Sequence, residues 1–159
     1  MSSNVNESLK NRKKSDYVYF LTYRTRWCVD NDQYSHINNS VYYHLFDSII
    51  NDYLINHCSI NPAESPLIGL VVSSACQFFS PLSFPQVLEL GLRVNNMGRS
   101  SVTYEVGVFE ESKPQPAAVG GYTHVFVESK SRKSAPIIRQ KGLEKGLRML
   151  YSDALRSNL

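Results

Sequence analysis

The sequence predicts an α+β domain in which antiparallel strands surround one long, buried helix. Two observations carry the prediction. From Ser40 to Asn56 the chain contains no Gly or Pro and is apolar around most of a helical circumference. Downstream, four runs of alternating apolar residues are joined by short links, the pattern of antiparallel neighbours. A further strand precedes the helix, so the expected order is β-α-β-β-β-β.

The first strand is expected over Tyr17 to Val29, where Tyr23, Thr25, Trp27 and Val29 alternate with more polar neighbours. Its aromatics beside Arg24 and Arg26 read as a packed sheet edge, since no RNA-binding signature accompanies them. In the helix, Ser40, His44, Asp47 and Asn51 draw a narrow polar stripe. Val41, Tyr42, Leu45, Phe46, Ile49, Ile50, Tyr53 and Leu54 fill most of the rest. About 17 residues at ~1.5 Å each give roughly 25 Å, enough to cross several strands.

The later strands are expected at Leu67 to Phe79, Val87 to Val94, Ser101 to Glu110 and Ala117 to Glu128. The second of these sets Leu88, Leu90, Leu92 and Val94 inward, with Glu89 and Arg93 outward. The last places Tyr122, His124 and Phe126 on one face. Ser73, Ser74 and Gln77 interrupt the first with small or polar side chains, as on a half-exposed strand face. From Pro136 to Leu155, Leu143, Leu147, Leu150 and Ala154 form one helical stripe. Gly142 and Gly146 each lower helicity by ~1 kcal/mol relative to Ala, so this helix needs tertiary contact.

Composition bounds the function. At 159 residues, with 42% hydrophobic and 11% aromatic side chains, the chain can bury a proper core. Residues 1–16 carry the basic run Lys10, Arg12, Lys13 and Lys14 and are expected to form a flexible tail before a single domain over 17–159. A net charge of +3 suits phosphate-bearing small molecules and is too weak to argue for nucleic acid. The cations of the C-terminal helix, with Arg132 and Lys133, read as solvated surface or as contacts to phosphate. Cys28, Cys58 and Cys76 are odd in number, widely spaced and without a C-x-x-C pair, which argues against disulfides and zinc and for a reducing compartment. There is no continuous apolar run of the ~18 residues a membrane span needs. Met1 to Ser15 has no hydrophobic signal core, so the expected location is cytoplasmic, with no membrane partner.

Chemistry concentrates between Asp30 and Ser40, where two Asp, three Asn, two Ser and one His precede the helix. The helix start offers unpaired N–H groups and a partial positive charge, which favour a carboxylate or a developing oxyanion. Asn38, Asn39 and Ser40 are natural caps. Capping does not account for Asp32 and His36 in the same loop. A carboxylate beside a polarising amide is what acyl transfer requires. The spacing of Asp32, His36 and His44 matches no metal motif, and no cofactor or metal is expected.

The run Asp30, Asp32, His36, Asn38, Asn39, Tyr42 and Tyr43, a D-x-D-x-x-x-H-x-N-N-x-x-Y-Y pattern, resembles the signature of hotdog-fold acyl-CoA thioesterases of the 4-hydroxybenzoyl-CoA thioesterase-like family. The resemblance continues through 68–72, 79–85, 91–94, 98–105 and 123–127, and so covers most of the chain from about Tyr17 to Pro136. It implies a curved antiparallel sheet wrapped around a central helix, with a C-terminal helix added. It implies hydrolysis of an acyl-CoA to free acid and coenzyme A, with Asp32 as nucleophile or general base. His36 and Asn39 would shape the loop or touch the thioester, and Ser35, Asn38 and Tyr42 would contact substrate, Tyr42 lining an acyl channel. Asp30 reads as structural. The family assembles as dimers or larger, so a homodimer or homotetramer is implied, with the strand from Leu67 helping to form the seam. Ser35 replaces the usual Gly, a residue suited to positive φ or close approach. Two other readings stand beside this one: an acyl-CoA binder without turnover, and an enoyl-CoA hydratase, whose D-x-N-P-x-H pattern this loop does not reproduce.

Overall fold

The computed structural model describes residues 7–156, with side chains up to Tyr151. The elements are β1 (Tyr19–Arg24), a helical turn (Trp27–Asp30), α1 (Asn39–His57), β2 (Leu67–Phe78), β3 (Val87–Met97), β4 (Ser101–Glu110), β5 (Pro116–Glu128) and α2 (Lys141–Arg156). All five strands form one antiparallel sheet in the order β1-β3-β4-β5-β2. Bulges at Val72, at Asn95 and between β4 and β5 interrupt the registers and bend the sheet. The central helix lies against its inner face, which makes this the expected hotdog arrangement.

The inward side chains of β3 and the sheet-facing side chains of α1 form the core. Leu88, Leu90, Leu92, Phe46, Ile49 and Ile50 are fully buried. The polar stripe of α1 stays outside, with Ser40, His44 and Asp47 exposed. Leu143, Leu147 and Leu150 of α2 are buried too. Its two glycines, costly for helicity, permit close approach to the end of α1. A Cβ on Gly142 would stand 2.7 Å from that of Ser59, and one on Gly146 would stand 2.5 Å from the His57 carbonyl oxygen. Ala154, the last residue of the expected stripe, lies outside the described side chains.

Three expectations are corrected. The first strand stops at Arg24, because the Asp30 carboxylate accepts the Arg26 backbone N–H at 2.7 Å and its guanidinium at 3.1 Å, which closes a helical turn over Trp27 and Val29. The short link after β2 does not return to a neighbour, since β2 pairs with β5 and forms a sheet edge. The link instead runs beneath the start of α1, where Ile37 N–H donates to the Leu82 carbonyl at 2.7 Å, and it reaches Thr25, whose N–H donates to Gln86 at 3.0 Å.

Arg93 points outward as expected, and there it is buried, because the N-terminal segment covers that part of the outer sheet face. The Tyr17 ring lies over the cross-strand pair Gly91–Gly107, where a Cβ would stand 2.7 Å and 2.6 Å from its carbon atoms. Arg12, assigned to a flexible tail by its basic surroundings, donates to the buried Glu105 carboxylate from Nε at 2.8 Å and from Nη2 at 3.1 Å. Asn95 and Tyr17 complete that carboxylate's partners at 2.8 Å and 3.2 Å. Lys14 pairs with Glu89. A buried carboxylate costs several kcal/mol without a cation, so the Arg12 contact is a condition of Glu105 being there. Residues 1–6 of the expected tail lie outside the described residues.

Inside the sheet, His124 is 3% exposed and its Nδ1 has no partner among the described residues. It packs against Gly69 and the edge of Tyr104. Burial pushes its titration down from 6.5 to about 4, weakly opposed by the Asp47 carboxylate. The fold therefore takes the neutral ring, while an unfolded chain binds a proton near pH 6.5. Stability is complete above that value and declines as pH falls toward 4, by about 3 kcal/mol across the window. Urea denaturation at pH 7 and pH 4.5 checks this. His124→Leu, which leaves no imidazole to charge, is expected to lose that share of the pH dependence.

Candidate active site

The loop before α1 is built from its own hydrogen bonds. Asp30, 1% exposed, accepts the Tyr23 hydroxyl at 2.9 Å and 3.0 Å in addition to the two Arg26 donors. Its backbone carbonyl accepts Asn38 N–H at 2.8 Å. Strand end, helical turn and helix cap are thus joined at one buried carboxylate, which gives the residue the structural place read from the sequence.

Two residues later the chain turns back on itself. Asp32 N–H donates to the His36 carbonyl at 2.8 Å, and Ser35 N–H donates to the Asp32 carbonyl at 3.2 Å. The Asp32 side chain joins in: its Oδ1 accepts the N–H of Tyr34 at 2.8 Å and of His36 at 3.2 Å. Its Oδ2 has no hydrogen-bond partner among the described residues. The side chain is therefore fixed through one oxygen and available through the other, in a half-buried position. A carboxylate so held has its direction set in advance.

The remaining residues named from the sequence follow it into the helix start. His36, Ser35, Asn38 and Asn39 are exposed. Asn38 caps α1, its Oδ1 accepting Ser40 N–H at 2.9 Å and the Ser40 hydroxyl at 2.8 Å, while its carbonyl accepts Val41 N–H at 2.9 Å. Two of the helix-start donors expected to face an oxyanion are consumed in this way, whereas Asn39 N–H has no acceptor among the described residues. Tyr42 is 2% exposed and packs edge-on against Phe78 of β2, ring centroids 4.9 Å apart. Burial raises its hydroxyl's titration to about 12, so it is a neutral group at ordinary pH. His44, one turn beyond Ser40, lines a cleft of about 400 Å³ between α1 and Tyr23, Arg26 and Asp30, whose lining does not include Asp32.

Sequence reasoning passed over Asn31. Both polar atoms of its side chain are enclosed and have no partner among the described residues, and its backbone bridges to Ile37. An Asn in a turn-rich segment gives no signal of enclosure. It also passed over the exposed aromatic pair beside the loop, Trp27 and Phe84, with centroids 6.0 Å apart. They meet only because the links before α1 and before β3 are tied together.

Ser35 adopts φ +63°, the left-handed region in which a non-Gly residue is strained by roughly 1–2 kcal/mol. The turn that holds Asp32 imposes this conformation, and the exposed serine tolerates it. Ser35→Gly is expected to raise the urea midpoint or leave it unchanged, with the loop intact. Ser35→Val, β-branched at positive φ, is expected to lower stability by about 1–2 kcal/mol.

Among known families, the model of the thioesterase superfamily matches residues 34–117, which includes His36, the cap and all of α1 and begins just past Asp32. No curated relative matches the chain. Among solved structures, it is similar to the PA5185 protein of Pseudomonas aeruginosa strain PAO1 at 42% identity and a TM-score of 0.83, over 87% of this chain and 95% of that one. It shares the fold of SAV2348 from Staphylococcus aureus, solved in complex with CoA, at 14% identity and a TM-score of 0.76, over 85% of this chain and 84% of that one. It also shares the fold of the DHNA-CoA thioesterase of Staphylococcus aureus, at 15% identity and a TM-score of 0.74, over 87% and 93%. With the helix cap, the central helix and strands β2 to β4 matched over more than half its length, the chain belongs to the thioesterase superfamily and is a thioester hydrolase.

Proposed function

We propose that the substrate is an acyl-coenzyme A and that Asp32 supplies the carboxylate for its hydrolysis. The observation that supports this most is the division of labour within that side chain: Oδ1 is spent on two backbone N–H groups and Oδ2 is left for chemistry. Oδ2 either attacks the thioester carbonyl, expelling the thiolate of coenzyme A and leaving an anhydride that water then opens, or takes a proton from the attacking water. Both routes release free acid and thiol. Negative charge grows on the carbonyl oxygen, and we assign the Asn39 N–H at the helix start as the donor that meets it, with a value of about 3 kcal/mol where well aimed. His36 and Asn39 contribute side chains at the rim. Ser35 and Asn38 shape the floor on which substrate rests, and Tyr42 with Phe78 borders the acyl group. The CoA complex of SAV2348 and the named substrate of the DHNA-CoA thioesterase are consistent with coenzyme A as the carrier. No step calls for a metal or organic cofactor.

The second part of the proposal is a homodimer, alone or as half of a homotetramer, formed along β2. This strand is a 12-residue sheet edge on which Leu70, Val71, Val72 and Phe78 are all exposed. A long, apolar, uncovered edge is the feature that soluble proteins suppress unless it is used. Phe78 touches Tyr42, so a second copy on this edge would also border the acyl side of the site.

Two measurements test these readings. Thiol release from a panel of short, long and aromatic acyl-CoAs is expected for the wild type, with Asp32→Asn reducing kcat by ~100-fold or more without lowering the melting temperature. Absence of release by the wild type on every acyl-CoA would point to a binder instead. Light scattering is expected to give at least twice the 18.1 kDa chain mass, and Val72→Lys is expected to shift it toward the monomer. A wild-type mass of one chain would remove the edge from the argument.

A further inference from the structure

Charge is distributed very unevenly along this chain. Eight of its 17 Lys and Arg, but only two of its 14 Asp and Glu, follow Glu128. The fold gathers part of that excess on one surface. With Leu143, Leu147 and Leu150 buried, the opposite side of α2 is exposed. At 3.6 residues per turn, Arg148, Lys141, Lys145 and Met149 occupy adjoining positions there, within a sector about 100° wide. All four are exposed. Arg148 is paired with Glu144 at 2.8 Å, whereas Lys141 and Lys145 have no carboxylate partner among the described residues. The surface continues from the helix onto the β3–β4 turn, where Arg99, exposed and without an ion pair among the described residues, lines a hollow of about 260 Å³ together with Ile138, Arg148 and the Glu144 that Arg148 holds. Two large apolar side chains stand out among these cations: Ile138 is 65% exposed and Met149 55%.

We propose that this face docks the protein on an anionic lipid bilayer. Three features favour a lipid surface over other anions. The cations lie along a helix flat against the protein, so they meet a plane together. Ile138 and Met149 project among them, as side chains do that enter the headgroup layer. The face also lies at the far end of α1 from Asp32, since Gly142 and Gly146 pack on the residues that follow that helix. α1 spans 19 residues, about 28 Å, so an anion held here is not part of a thioester reacting at Asp32 of the same chain. Docking by this face leaves the hydrolytic loop free.

The test is sedimentation of the full-length protein with vesicles of phosphatidylcholine alone or mixed with phosphatidylglycerol, at low and at raised salt. Binding to the mixed vesicles only, weakening with salt, is the expected result. Lys141→Gln with Lys145→Gln is expected to reduce partitioning about 30-fold, at roughly fivefold per charge, while Lys141→Arg with Lys145→Arg retains it. Met149→Ser is expected to weaken binding without changing its salt dependence. Thiol release from a soluble acyl-CoA is expected to be unchanged in all three variants, so vesicle binding and hydrolysis stand or fall separately. Equal binding to neutral vesicles, no effect of the double glutamine variant, or binding to poly-glutamate but not to vesicles would overturn the proposal.

Discussion

The buried Asp30 carboxylate is the fixed point on which the functional half of the molecule depends. It receives donors from β1, from the turn that follows and from that turn's own backbone, while its carbonyl receives the helix cap. An ionised group at this depth is tolerated only because its acceptor capacity is filled. The return is positional. The chain leaves β1, turns and enters α1 at set angles, so residues 31–37, Asp32 among them, hang between two anchored ends.

Two acids two residues apart in sequence are thereby given opposite tasks. Asp30 spends both oxygens on protein donors and is 1% exposed. Asp32 spends one oxygen, and on backbone N–H groups alone, which orient it without placing a competing cation beside it. The Arg26 guanidinium is committed to Asp30, and Asp32 has no ion pair among the described residues. A carboxylate neutralised by an arginine would be a poorer nucleophile and a poorer base, so the arrangement that buries the first acid also protects the second.

How much of this was legible in the sequence depends on the range of the interaction responsible. Leu88, Leu90 and Leu92 announced their strand because period-two burial is a local property. The apolar girth of α1 announced a wrapped helix for the same reason. Asp30 and Asp32 were recognisable through spacing, and the positive φ at position 35 through the glycine that the family keeps there. Other features had no local mark. Trp27 and Val29 have strand propensity, and only the Asp30 side chain turns them into a helical turn. Arg12 resembled any cation in a polar tail, since its partner Glu105 lies 93 residues away. Gly142 and Gly146 looked like helix weakeners until the end of α1 was seen against them. The pairing of β2 with β5 in place of β3 was hidden because a short link proves only that two ends are near, and a bent sheet can bring opposite edges near as well.

The same bend connects assembly with chemistry. Because β2 sits at the edge and not inside the sheet, its backbone donors and acceptors on one side, together with Val71, Val72 and Phe78, have no cover from the described chain. The link that leaves β2 is also the one that supports the loop before α1, through Leu82 and Ile37. A second copy on this edge would press on Phe78, Phe78 packs on Tyr42, and Tyr42 lies in the first turns of the helix whose start is proposed to meet the carbonyl. In a chain where the edge strand, the supporting link and the helix start are consecutive contacts, the proposed dimer would close the sheet and complete the proposed acyl side of the site in one step.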